Sequence, residues 1–297
     1  MDNWDEIRTA YQVARAGTVS GAAEALGVHH ATVIRHIDAL EGRLGVKLFQ
    51  RHARGYTATE AGSDLLQVAQ ATDDQFTQLA GRIKGLGAGV SGELIVTSLG
   101  FLSSFLTPHL LAFQDAHPDT VIRFLTDDRV FRLEYGEAHV AIRAGAKPEE
   151  PDNVVQPFFN LPIRMMASDA YVARFGMPEG EDDLKNHWFV GVDDAGNRAP
   201  FNRWMRENVA ADGMAFRTTS GRSVLDAVAA GAGIGFVSDI DIAGRDDLHE
   251  VMPALDEWAV PLWLVTHVDL HRTTKVQACL AHLKEAAKTC GGQPGNS

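Results

Sequence analysis

An arginine held away from apolar contacts and followed by a short basic loop can recognise a phosphate-bearing duplex. Residues 28–58 supply both features. Arg35, Arg43, Lys47, Arg51 and Arg54 stand there against Asp38 and Glu41, with His29, His30, His36 and His52 among them. At 100° per residue, Arg35 falls almost opposite the apolar stripe Val33, Ile37, Leu40 and Leu44. Ala31 and Thr32 flank it on the outward face, and His29 and His30 form the first turn. The N-terminal part of such a helix reaches base edges in the major groove. An arginine there bonds guanine through two hydrogen bonds, worth roughly 1–3 kcal/mol of discrimination, and alanine or threonine methyls meet the thymine methyl. The bland alternative is a helical hairpin inside a core; the outward Arg35 and the basic tip Arg51-His52-Ala53-Arg54-Gly55 argue against it.

The surrounding elements have the form this chemistry requires. Trp4, Ile7, Tyr11 and Ala14 share one face of a first helix that ends at Gly17. Thr18 or Ser20 caps a second helix, stopped by Gly27, and a third runs from about His29 to Leu44 and closes at Gly45. Ala23, Gly27 and Val33 provide the small residue, the turn and the inward apolar side chain of a helix-turn-helix. Phe49 to Ala58 predicts a β-ribbon with Gly55 in its turn. Thr59-Glu60 opens a long helix in which Leu65, Val68, Thr72, Phe76, Leu79 and Ile83 recur at three- and four-residue steps. That stripe suits a helix lying on a core, or one pairing with a second copy of itself. Gly85, Gly87, Gly89 and Gly92 then mark a linker at 85–92.

From Glu93 the pattern is α/β. Strands are predicted at Glu93–Thr97, Val121–Leu125, Val140–Arg143, Ile163–Ala167, Phe189–Val192, Phe216–Thr219, Ile234–Val237 and Leu262–Thr266. Helices at Leu102–Phe113, Arg222–Ala230 and Thr274–Ala287 separate several of them, which predicts mostly parallel sheets in two lobes.

Length and composition agree with this division. The 297 residues are 45% hydrophobic and 22% charged, enough for about two folded domains and unlike a disordered chain. The net charge is −12, yet residues 1–60 carry seven Lys/Arg and seven Asp/Glu, so the later residues hold the whole imbalance. A local basic face still binds phosphate on such a protein, because screening cuts off distant repulsion within roughly 8–10 Å. No apolar run is long enough for a membrane span, and the acidic start Met1-Asp2-Asn3-Trp4-Asp5-Glu6 is unlike a signal peptide, so the expected location is cytoplasmic. Cys279 and Cys290 exclude a disulfide framework; they read as a buried thiol and a tail thiol, with oxidant sensing as the rival role.

Residues 19–41, VSGAAEALGVHHATVIRHIDALE, closely resemble the winged helix-turn-helix of LysR-type transcriptional regulators. The likeness continues through Arg43-Leu-Gly-Val-Lys-Leu-Phe49, the wing Arg54-Gly-Tyr-Thr-Ala-Thr-Glu-Ala-Gly62, Phe113 to Pro118, Gly231-Ala-Gly-Ile-Gly235 and Leu264 to Arg272. Where the family often has serine, proline and serine, this chain has His29, Ala31 and Ile34, so base preference is not carried over. The resemblance implies a winged head at 1–59, a dimerisation helix and hinge at 60–91, an effector domain at 92–290 and a disordered tail at 291–297. The effector domain would be like a type 2 periplasmic (solute) binding protein, with lobe I at 92–162 plus 267–290 and lobe II at 163–266. Implied partners are double-stranded DNA, a small-molecule effector, a second copy in a dimer or tetramer, and RNA polymerase, with no membrane and no catalytic activity.

On that reading Ser20, His29, His30, Ala31, Thr32, Arg35, His36, Arg51, Arg54 and Tyr56 are the DNA contacts, and Leu65 to Ile83 the dimer stripe. The effector would lie between the lobes. Ser98-Leu99-Gly100-Phe101 follows the first strand and opens a helix, so free backbone N–H groups face the crevice and suit a small anion. Thr126, Arg143, Ser220 and Ser238 follow later strands, and Arg143 is the best candidate for an anion partner.

Two rival functions fit less well. An enzyme would need a motif the chain lacks: Gly231-Ala-Gly-Ile-Gly235 precedes its strand, and no G-x-S-x-G or H-E-x-x-H occurs. His29, His30 and His36 lack the cysteine or carboxylate partners of a metal site, so neither metal nor cofactor is expected. A solute-binding transport protein would need a secretion signal and would have no use for residues 1–84.

Overall fold

The computed structural model describes residues 3–52, 55–83, 89–127, 129–193, 196 and 198–288. Arg54, Cys290, residues 84–88 of the expected hinge and the tail 291–297 lie outside the described residues.

The head is built from α1 (Trp4–Ala16), α2 (Val19–Leu26), α3 (His30–Leu44), β1 (Phe49–His52) and β2 (Gly55–Ala58). Each helix stops where glycine takes a left-handed conformation, at Gly17, Gly27 and Gly45. Thr18, not Ser20, caps α2: its Oγ1 accepts from the Gly21 N–H at 3.1 Å. Ala10, Val13, Ala22, Val33, Ile37 and Leu40 make the core, closed below by Leu48 and Phe49. Two expectations are corrected here. Trp4 is exposed, because the inward face of α1 runs through Ala10 and Val13. Leu44 is exposed too, because α3 passes the edge of the core after Leu40.

The two strands pair antiparallel from Phe49 opposite Ala58 to His52 opposite Gly55. The ribbon is bonded to the turn between α1 and α2: Tyr56 N–H donates to the Gly17 carbonyl at 2.8 Å. A Cβ on Gly55 would lie 2.5 Å from that same oxygen, so only glycine fits the approach. Thr59 Oγ1 accepts from the Gly62 N–H and starts α4 (Glu60–Ile83).

The body contains two five-stranded sheets. In chain order its elements are β3 (Gly92–Ser98), α5 (Ser103–Ala116), β4 (Thr120–Thr126), β5 (Val140–Ala144), β6 (Asn153–Leu161), β7 (Ile163–Ser168), α6 (Asp169–Phe175), β8 (Phe189–Val192), α7 (Pro200–Asn208), β9 (Met214–Thr218), α8 (Gly221–Ala229), β10 (Ile234–Ser238), α9 (Asp239–Ile242), β11 (Leu248–Met252), β12 (Val260–His267), α10 (Val268–His271) and α11 (Thr274–Lys288). Lobe I has the strand order β4-β3-β5-β12-β6, and lobe II the order β11-β7-β10-β8-β9.

The sheets are mostly parallel, as expected: four of the five strands in each run the same way, and one strand in each, β12 or β7, runs against them. β3, β4 and β5 run parallel, as do β8, β9 and β10, but β12 is antiparallel to β5 and β6, and β7 is antiparallel to β10 and β11. The antiparallel strands are those next to the two crossings between lobes. The first crossing is at Pro162, between β6 and β7. The second is not at Thr266–His267. The whole of β12 pairs within lobe I, so the chain has already crossed before Val260. Beside that crossing Trp258 is fully buried, 4.8 Å from the Phe236 ring and 5.8 Å from Trp204. Among the described residues, no helix is long and apolar enough to cross a membrane.

Candidate nucleic-acid interface and ligand cleft

The outward face of α3 is as the helical wheel requires. Val33, Ile37 and Leu40 are buried, while His29, His30, Ala31 and Arg35 are exposed and Thr32 is half-buried. Ser20 of α2 is exposed as well. His29 is the N-cap residue of α3 but its side chain makes no capping bond. The charges then separate these residues from their basic neighbours. Arg43 is ion-paired with buried Glu6, Lys47 with buried Glu41, and Arg51 with Asp38 at 2.5 Å and Glu41 at 3.3 Å. Among the described residues, Arg35 is the basic residue of 28–58 without an ion pair.

Three expected contacts also have partners within the head. Arg51 is engaged by two carboxylates, and its guanidinium lies over the Tyr56 ring at 5.4 Å. The Asp38 bond outweighs burial and holds the Arg51 guanidinium above its ordinary pKa, so it stays charged within the fold. Tyr56 packs against the core, 5.9 Å from the Phe49 ring. His36 is turned toward α1, its Nδ1 2.9 Å from Thr9 Oγ1; it sits 60° from Val33 on the wheel, closer to the buried stripe than to Arg35. The residue that organises this region, Glu41, has no place among the expected contacts. It is 3% exposed, and it accepts from the Leu48 and Phe49 N–H groups at 3.0 and 3.3 Å and from Lys47 Nζ at 2.6 Å. Burial pushes its carboxyl up, but Lys47 and the two backbone donors prevail and hold it below 4.5.

In the body, a cavity of about 360 Å³ opens at the carboxyl ends of β3 and β5, where the strand order of lobe I branches. Of the expected effector residues, Ser98, Leu99 and Arg143 line it. Gly100, Phe101 and Thr126 adjoin it without lining it. Ser220 and Ser238 belong to lobe II, at the N-caps of α8 and α9. The short turn Gly100–Leu102 meets α8, and α5 meets α9, so the two lobes face each other across this end. Ser238 is 3% exposed and engaged locally, its Oγ 2.7 Å from Asp241 Oδ2. Residues beyond the sequence reading also line the cavity: Asp127, Arg129, Val130, Phe131, Ile142, Pro148 and Glu150. All but Ile142, which lies in β5, are in loops without periodicity, which is why no pattern marked them. Arg129 stacks on the Phe131 ring at 4.1 Å and pairs with Glu137 and Asp127. Arg143 Nη1 bonds Glu150 at 2.9 Å, and Nη2 bonds the Phe131 carbonyl at 3.2 Å. Among the described residues, no group of three or more His, Cys, Asp or Glu could hold a metal ion.

The α4 helix serves three neighbours. Leu65 packs on the core of the head. Val68 and Phe76 are 61% and 56% exposed, and Phe76 meets the exposed Trp4 ring edge-on at 6.2 Å. Thr72 is half-buried and donates to the Val68 carbonyl; the side chains of Leu79 and Ile83 lie outside the described residues. The third neighbour is lobe I. The Gln70 amide is 3.1 Å from Nε2 of His139, whose Nδ1 accepts from the Ile95 N–H at 2.8 Å. Gln67 Nε2 lies 2.9 Å from the His267 ring and 3.0 Å from Asp269 Oδ2. Arg15 of α1 reaches Glu93 of β3 at 3.0 Å.

Residues 4–63 match the family model of the bacterial regulatory helix-turn-helix protein, lysR family, and residues 87–288 match that of the LysR substrate binding domain. The chain is 30% identical to the transcriptional regulator IlvY of Escherichia coli over 79% of its own length and 81% of that protein's. It is 27% identical to the transcriptional repressor PA14_22550 of Pseudomonas aeruginosa over 93% and 90% of the two lengths. Among solved structures, the full-length regulator LysG of Corynebacterium glutamicum with bound effector Arg superposes with a TM-score of 0.70 at 15% identity, covering 99% of this chain and 100% of that one. CrgA of Neisseria meningitidis gives 0.60 at 22%, covering 97% and 99%. At these identities the structural likeness speaks for the fold.

Proposed function

Since the chain belongs to the LysR-type family of transcriptional regulators, DNA-binding proteins with an effector-binding domain, we propose that it reads its promoters through Ser20, His29, His30, Ala31, Thr32 and Arg35. The observation that carries this is Arg35: it stands exposed and unpaired among the described residues, while Arg43, Lys47 and Arg51 are neutralised by carboxylates of the head. Arg54, which lies outside the described residues, is expected from the sequence to meet a phosphate.

The proposed division keeps the head at 1–59, the linker at 60–91 and the effector domain at 92–290, with the lobe boundary moved to just before Val260. A small anion would bind between the lobes, against Ser98 to Phe101, Thr126 and Arg143 on one side and Ser220 and Ser238 on the other. A second copy would pack along Val68, Thr72 and Phe76 of α4, in a dimer or a tetramer. The protein would work in the cytoplasm, with RNA polymerase as a downstream partner. Binding of the effector shifts regulation only by favouring one arrangement of the lobes over the other.

The deciding experiment is Arg35→Ala. Loss of a base contact of roughly 1–3 kcal/mol weakens promoter binding by about 5- to 150-fold. Binding to random duplex should fall much less; equal losses on both would remove Arg35 from base readout.

A further inference from the structure

We propose that Glu150 is a built-in occupant of the Arg143 guanidinium, and that a small carboxylate with a compact apolar body takes its place when effector binds. The inference rests on the reading of this cavity, lined by lobe I where it faces lobe II, as part of the effector site.

The two members of this ion pair are held very differently. Arg143 is 14% exposed, ends a central strand and is fixed by the Phe131 carbonyl. Glu150 is 51% exposed and sits on the rim, in the irregular stretch between β5 and β6. It reaches Arg143 through one oxygen, at 2.9 Å, so the planar guanidinium is not used in the paired, two-bond form it prefers with a carboxylate. A carboxylate entering from the cavity can make both bonds.

Charge balance selects the class of ligand. The other cation of the cavity, Arg129, is already neutralised by Glu137 and Asp127. Arg143 has one carboxylate partner among the described residues. Exchanging Glu150 for a monoanion leaves the cavity's charge unchanged and releases Glu150 to water at the rim. A neutral ligand would leave the existing pair in place, and a cation would have to compete with Arg143 for Glu150. Size and lining complete the description. About 360 Å³ accommodates on the order of a dozen non-hydrogen atoms, at roughly 30 Å³ each by analogy with water. Val130, Phe131, Ile142 and Pro148 offer the apolar surface for the ligand's body.

The test uses the full chain and three probes of one shape: cyclohexanecarboxylate, cyclohexanecarboxamide and cyclohexylmethylamine, titrated calorimetrically. The carboxylate should bind in preference to the other two. Glu150→Gln should tighten it up to about fivefold, the worth of a partly exposed ion pair, and leave the amide unchanged. Arg143→Gln should abolish the preference. Equal binding of all three, stronger binding of the amine, no binding of any, or a weaker carboxylate in Glu150→Gln would overturn the inference. Ala146→Trp, which fills the cavity from an exposed position on its rim, separates this from the site assignment. Carboxylate binding should be lost in that variant; if it persists, the ligand sits elsewhere and the cleft reading itself fails.

Discussion

Replacing Glu41 by alanine should detach the ribbon from the recognition helix without touching any residue assigned to DNA. Glu41 is 3% exposed and is the acceptor for the Leu48 and Phe49 N–H groups at the point where the chain leaves α3 for β1. Each buried donor left without a partner costs about 1–3 kcal/mol, and with local relaxation the pair costs about 2–4 kcal/mol. The bonds from Lys47 and Arg51 add less than about 1 kcal/mol each, because Lys47 is 71% exposed and Arg51 37%. In a domain of the head's size, about 1 kcal/mol corresponds to about 4–8 °C, so the transition of the head should fall by about 10 °C or more. Amide hydrogen exchange at Leu48 and Phe49 reads the effect directly, and promoter and random-duplex affinity should fall together. Unchanged protection of those two amides in Glu41→Ala would refute the reasoning. The pH dependence has a fixed sign. Because the folded carboxyl is held below 4.5, its contribution is complete above that pH and is lost as pH falls through the folded value. The native head should therefore lose stability on acidification more steeply than Glu41→Gln.

Phe76→Asp should convert the oligomer to monomers in light scattering, since it places a charge in the exposed ring contact with Trp4; an intact oligomer would remove α4 from the interface. Gly55→Ala should weaken DNA binding and lower the melting temperature of the head, because the added Cβ meets the Gly17 carbonyl at 2.5 Å; native melting would show that the ribbon relaxes freely. In a Cys290→Ser background the folded chain should not react with a thiol reagent: Cys279 is fully buried, and burial pushes its thiol up to about 12. Reaction before unfolding would contradict that burial.

The head was legible because its signals are local. Gly17, Gly27 and Gly45 stop helices wherever they occur in such a pattern, and the buried Val33, Ile37 and Leu40 fix which way Arg35 faces. What the sequence hid depends on distant partners. Arg51 looks like a free cation until Asp38 and Glu41, 13 and 10 residues away, are brought beside it. β6 carries Pro157 and β11 is five residues with a central glutamate; neither alternates cleanly, and both are defined by pairing with strands far along the chain. The cavity-lining loop around Arg129 and Phe131 has no period to read. Gln67 and Gln70 pass for solvent-facing positions of α4 until lobe I supplies His267 and His139.

Those last contacts have a mechanical corollary. Gln67 and Gln70 of α4, and the Arg15–Glu93 bridge from the head, anchor lobe I to the N-terminal part of its own chain. Lobe II is joined to it by the Pro162 strand junction and the crossing before Val260, and touches it again where α8 meets the Gly100–Leu102 turn and α5 meets α9. A ligand that drew the lobes together would therefore move lobe II against a lobe I already held by these three contacts.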